Sequence, residues 1–143
     1  MTRVRVLRLD AAAPLPSYQT AGAAGFDLAS SVDMTIAPGQ ITLVPTGLVI
    51  EAPKGHFLGI FARSSTPLKK GLIVANGVGV VDSDYSGPTD EIKIQVMNVT
   101  SAPVDVKRGD RLAQGVLIPF VRAEFEEVDA AVSKDRGGFG STG

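Results

Sequence analysis

Hydrophobic and polar positions alternate most cleanly over Glu91-Ile92-Lys93-Ile94-Gln95-Val96-Met97-Asn98-Val99. A period of two places the apolar side chains on one face of an extended strand and the polar ones on the other. Shorter apolar or β-branched runs lie at residues 40–44, 48–52, 57–62, 72–75, 104–106, 112–120 and 123–128, and each predicts a strand. Turn signals separate them: Pro38-Gly39, Pro53-Lys54-Gly55, Ser86-Gly87-Pro88 and Arg108-Gly109-Asp110. No 3.6-residue period is sustained anywhere, beyond a single turn suggested near residues 129–132. Many short strands at this spacing predict an all-β fold: a sandwich, a barrel or a jelly roll. The chain reads as one β domain over residues 1–132, followed by a flexible C-terminal arm at 133–143.

Composition narrows the function. A chain of 143 residues is the size of one domain with a substantial core. Its net charge of −1 gives no overall basic field for nucleic acid or an anionic membrane. It has no cysteine, which removes disulfides, thiol chemistry and cysteine zinc sites. His56 is the only histidine, so histidine metal sites and Ser-His-Asp catalysis are poorly supported. No apolar run approaches the roughly 20 residues that cross a bilayer. The alternating start, Met1 to Val6, contains no signal-peptide core, so a cytoplasmic protein is expected.

Four segments carry candidate chemistry. Arg63-Ser64-Ser65-Thr66, followed by Lys69-Lys70, groups a guanidinium, hydroxyls and ammoniums into an anion site; it also reads as an ordinary polar turn. The segment from Asn76 to Gly87 begins as a glycine-interrupted strand, where backbone can approach a ligand closely. It ends in Asp82, Asp84 and Tyr85. If extended, it turns both carboxylates to one side, where they could activate a water or hold a metal; an Asp-rich turn explains the same residues. In Arg108-Gly109-Asp110-Arg111-Leu112-Ala113-Gln114 the exception is Gln114, a polar residue in an apolar run that wants a partner. The C-terminal Arg136-Gly137-Gly138-Phe139-Gly140-Ser141-Thr142-Gly143 offers a cation, two hydroxyls and one aromatic on a glycine-loosened backbone. That suits an arm closing over a nucleotide with Phe139 on a base, and equally a frayed tail.

Taken with Ala23-Ala24-Gly25-Phe26-Asp27-Leu28, these segments resemble, in order, the five motifs of the trimeric dUTPase family. The other four are Arg63-Ser64-Ser65, the run from Gly79 to Gly87, the run from Gly109 to Gln114, and the run from Gly138 to Gly143. The resemblance implies hydrolysis of dUTP to dUMP and pyrophosphate with Mg²⁺ on the triphosphate. It also implies a jelly-roll-like subunit and a homotrimer with active sites at subunit interfaces. It makes Asp82 the carboxylate that orients the attacking water, and Tyr85 the ring packed on deoxyribose. Asn76 and the backbone of Gly79, Val80 and Val81 would read uracil, with Lys93 nearby in the substrate site. Arg63, Ser64, Ser65 and Gln114 would serve the phosphates, and Asp27 would reach the metal through water. Phe139 would cover uracil, and Ser141 and Thr142 would contact the γ-phosphate.

The chain departs from the family pattern in three places. Ser65-Thr66-Pro67 replaces the usual glycine-leucine-alanine. Pro88-Thr89-Asp90 reads as an insertion. Lys134 stands where the family places an arginine, with Arg136 closer to Phe139. Arg136 is expected to make the arm's phosphate contact, because a guanidinium can bind phosphate with two parallel hydrogen bonds. The competing functions are a dCTP deaminase or bifunctional deaminase–dUTPase of the same fold, and a relative that binds without catalysis. Deamination would need a further glutamate near the Arg63 loop.

Overall fold

The computed structural model describes residues 2–143. Its regular structure is eleven short strands: β1 Arg5–Arg8, β2 Phe26–Ala29, β3 Met34–Ile36, β4 Ile41–Pro45, β5 Leu48–Glu51, β6 His56–Ala62, β7 Leu72–Val74, β8 Gly79–Val81, β9 Lys93–Asn98, β10 Val104–Val106 and β11 Arg111–Pro119. One π-helical turn, Thr66–Lys70, lies between β6 and β7. The strands form four small antiparallel sheets, ordered β1-β5, β10-β3, β2-β11-β6-β8 and β4-β9-β7.

The alternation around β9 does what a period of two requires. Ile94, Val96 and Asn98 are buried, while Lys93, Gln95 and Met97 face outward. The core is aliphatic, with Leu28, Ile36, Val44, Leu48, Ile50, Leu58, Ile92 and Leu112 fully buried. Each such side chain contributes about 1.5–3 kcal/mol of transfer free energy. The buried Asn98 is saturated: its amide donates to the Ile36 and Ala102 carbonyls at 2.9 and 2.8 Å, and its oxygen accepts from Thr100. It thereby ties β9 to β3 and to the approach of β10.

The all-β expectation holds, and most strands fall within a residue or two of the runs read from sequence. The run at 123–128 forms no strand. Residues 119–143 are all exposed, and β11 ends at Pro119. A strand needs a neighbouring ladder for its N–H and C=O groups, and this segment finds none within its own chain. Residues 129–132 bend without forming a helical turn. Regular structure thus stops well before residue 133.

The outer face of β4-β9-β7 carries an apolar row beside Gln95 and Lys93. Ile41 and Ile73 flank Met97 in register, and Ile41, Leu43 and Ile73 are exposed.

Candidate active site

The Asn76–Lys93 stretch builds a cleft of about 380 Å³. Asn76 and Gly77 turn the chain after β7: Gly77 N–H donates to the Val74 carbonyl at 3.1 Å, with a φ of +72° that favours glycine. Strand β8 then pairs with β6, setting Gly79 against Ile60 and Val81 against Leu58. Beyond it Tyr85 N–H donates to the Asp82 carbonyl at 3.1 Å, closing a tight turn. The cleft brings together Asn76, Gly79, Val80, Val81, Asp82, Tyr85 and Lys93, all expected from sequence. It adds Leu43, Ile60, Glu91 and Ile92, which sequence reading missed. The turn at 82–85 corrects the extended pairing of the two carboxylates: Asp82 lines the cleft and Asp84 does not.

A second concavity, of about 430 Å³, is cationic. It is lined by Arg63, Ser65, Thr66, Lys69, Lys70, Gly109, Asp110 and Arg111. Beside it Asp27, with 11% side-chain exposure, accepts from Arg63 Nε at 2.8 Å through Oδ1 and from Arg111 Nη1 at 3.0 Å through Oδ2. Arg63 also reaches the Arg111 carbonyl and Ser65 Oγ, at 3.3 and 3.4 Å. Thr66 Oγ1 donates to the Leu112 carbonyl at 2.9 Å, fixing the π-helical turn that carries Lys69 and Lys70. Lys70 Nζ pairs with Asp110 Oδ2 at 2.9 Å. Partial burial pushes the Asp110 carboxyl up, but the Lys107 N–H, the Lys70 hydrogen bond and the two lysine charges outweigh it and hold the carboxyl below its ordinary value. Ser64 is exposed and is not among the residues that line the concavity.

Gln114 finds the partner its position demanded. Its amide donates to the Ala62 carbonyl at 2.9 Å, on a strand where it lies between Asp27 and Phe61. The close packing requires Gly25, since a Cβ there would sit 2.5 Å from Gln114 Oε1. Lys69 and Lys70, expected with Arg63 as an anion site, line the concavity. Arg111 lies within the segment read from Gly109 to Gln114 but was given no role of its own; its signal was a cation directly after the Gly109-Asp110 turn.

The arm residues Arg136, Phe139, Ser141 and Thr142 lie together, apart from both concavities. Phe139 is fully exposed, and the hydrogen bonds of Ser141 and Gly143 are local to the arm. Among the described residues, no group of three or more His, Cys, Asp or Glu could hold a metal ion. Among the same residues, no helix is long and apolar enough to cross a membrane.

The cleft and the cationic concavity share no lining residue. Asp82 follows Val81, which faces Leu58, and Arg63 lies five positions beyond Leu58, just past the end of β6. At about 3.3 Å per strand residue, roughly 17 Å of strand separates them. One chain therefore carries an acid-bearing cleft and a separate cationic concavity.

The family model for dUTPase matches residues 11–143. The deoxyuridine 5′-triphosphate nucleotidohydrolase of Desulfitobacterium hafniense is 50% identical, with 99% of this chain and 95% of that protein covered. The crystal structure of a dUTPase from Streptococcus mutans is 42% identical, with a TM-score of 0.74, covering 78% of this chain and 89% of that one. The Staphylococcus bacteriophage 80alpha dUTPase with dUPNHPP has a TM-score of 0.88, covers 100% of this chain and 99% of its own, and at 22% identity shares the fold. Sequence, fold and motif order agree, and the chain belongs to the dUTPase family.

Proposed function

We propose that this chain hydrolyses dUTP to dUMP and pyrophosphate, working as a homotrimer whose active sites combine residues of different copies. One observation carries the reading: Asn76, the Gly79–Val81 backbone, Asp82, Tyr85 and Lys93 meet in one cleft. Uracil is a small planar ring with a fixed donor–acceptor edge, and the strand backbone with Asn76 offers a matching edge. Tyr85 packs on the deoxyribose and leaves no room for a 2′-hydroxyl. The Asp82 carboxylate accepts a proton from a water as the water's oxygen bonds the α-phosphorus. The bond from that phosphorus to the bridging oxygen breaks, and pyrophosphate leaves.

The cationic concavity supplies the phosphate half. Arg63, Ser64, Ser65 and Gln114 with Lys69 and Arg111 neutralise a highly anionic triphosphate. Asp27 keeps Arg63 and Arg111 oriented, and its remaining lone pairs can accept from metal-bound water. Mg²⁺ suits this donor set as an ion carried mainly by substrate phosphates, since among the described residues no carboxylate cluster would hold it. When bound, it neutralises phosphate charge. The arm closes over the substrate with Phe139 on uracil and Arg136, Ser141 and Thr142 on the outer phosphate.

Sharing between copies is supported by the separation of the two regions: the cleft that holds Asp82 and the concavity that holds Arg63 have no lining residue in common. A second copy that brings its concavity to the first copy's cleft would set both along one extended triphosphate. The exposed Ile41, Leu43 and Ile73 supply an apolar face for such packing.

Incubating the pure protein with Mg²⁺ and either dUTP or dCTP tests the reading. dUMP and pyrophosphate from dUTP, with dCTP unchanged, are expected. Release of ammonia from dCTP would establish the deaminase instead, although the carboxylates at the concavity, Asp27 and Asp110, are both held in ion pairs.

A further inference from the structure

We infer that Glu91 is a positioning residue that holds the Tyr85 ring in the cleft, and so sets discrimination between deoxyribose and ribose. The inference rests on the reading of Tyr85 as the sugar platform. The Glu91 carboxylate accepts the Gly47 N–H through Oε1 at 2.8 Å, pinning the end of the 82–91 loop to the corner between β4 and β5. That corner is rigid. Thr46 is fully buried, and its hydroxyl donates to the Ile92 carbonyl at 2.6 Å. Gly47 has a φ of +70°, and a Cβ there would sit 2.8 Å from Ala13 Cβ. The Tyr85 hydroxyl in turn points at the Glu91 carbonyl, 3.4 Å away, the outer limit of a hydrogen bond.

Pro88-Thr89-Asp90 stands between the two residues and is itself closed: Asp90 Oδ2 accepts the Gly87 N–H at 2.7 Å, and Asp90 N–H donates to the Gly87 carbonyl at 3.1 Å. The inserted residues thus form a stiff loop with Tyr85 at one end and the anchored Glu91 at the other. Tyr85 is 43% exposed, so packing covers only part of the residue. Its alignment therefore depends on that anchor. Glu91 lines the cleft, but its Oε1 is taken by the Gly47 N–H, and a glutamine can accept the same N–H.

The chain has two tyrosines and no tryptophan. In a Tyr18→Phe background Tyr85 becomes the only emitter, so its ring can be watched directly. Glu91→Ala is expected to lower Tyr85 fluorescence anisotropy. It should also cut the ratio of kcat/KM for dUTP over UTP at least about fivefold, with KM for dUTP rising more than kcat falls. Glu91→Gln should keep both readouts within about twofold of the parent. Unchanged anisotropy in the alanine variant overturns the inference whatever the kinetics. Lowered anisotropy with unchanged selectivity also overturns it if Tyr85→Ala does lose selectivity. If Tyr85→Ala keeps selectivity too, the hold on the ring stands and the sugar-platform reading of Tyr85 is what fails.

Discussion

The acid-bearing cleft and the cationic concavity are organised in opposite ways. In the concavity the charges are already tied: Asp27 to Arg63 and Arg111, and Asp110 to Lys70, with Thr66 anchored beneath. In the cleft the arrangement is one of backbone turns and shape, and Asp82 is exposed at the head of its turn. A site that must bind a triphosphate gains from donors fixed before the ligand arrives, because no reorganisation is then needed during the reaction. A site that must read a small ring and place one water gains from a shaped wall and an unencumbered carboxylate. On the proposed function, binding of charge belongs to one region and chemistry with selectivity to the other.

That division is broken most sharply at Asp82. Asp82→Asn is expected to bind dUTP normally and to lose about 10²–10⁴-fold in kcat, because the amide cannot accept the water's proton. Single-turnover assays beside a dUTP titration check this, and turnover within about threefold of the parent would remove Asp82 as the base.

Removing residues 133–143 is expected to leave an assembled β fold, because they are exposed and outside the core, and, on the proposed closing role of the arm, to lower kcat/KM about 10–100-fold. Circular dichroism and sedimentation would show the retained fold. Within the arm, Arg136→Ala is expected to cost about tenfold in kcat/KM, the scale of one charge-assisted contact. Lys134→Ala should cost less. The reverse order would show that distance from Phe139 decides the contact, not guanidinium geometry.

The smallest effect concerns stability in the concavity. Folding lowers the Asp110 carboxyl below its ordinary 3.8, so the unfolded chain takes up the proton first as pH falls. The stabilisation is therefore full above 3.8 and disappears as pH drops through the lower folded value. Asp110→Asn should cost under about 1 kcal/mol near neutrality, as partly exposed pairs do. The two proteins should converge in acid, which urea melts across pH would reveal.

How much was legible in the sequence differs between the regions for a physical reason. The cleft is nearly contiguous, from Asn76 to Lys93, so its residues could be read as one segment. The concavity is assembled across the fold: the Asp27–Arg111 pair spans 84 positions, and nothing local announces it. Among the strands, β9 was plain because one of its faces is buried and the other is not. Strand β2 is buried along nearly its whole length and shows no alternation to read. The pattern at 123–128 was real, but alternation records that a strand would have two faces. It does not say which ladder will accept it, and this chain alone offers none.

The central claim is that one active site needs Asp82 from one copy and Arg63 from another. Coexpressing Asp82→Asn chains with Arg63→Gln chains, each nearly inactive alone, tests it directly. Random mixing of equal amounts in a closed trimer leaves about a quarter of all sites with both native residues, and about one site in three within trimers that contain both chains, so purified mixed trimers should regain about a third of native activity. If trimers confirmed to contain both chains stay as inactive as either parent, Asp82 and Arg63 serve the same copy's site and the account is wrong.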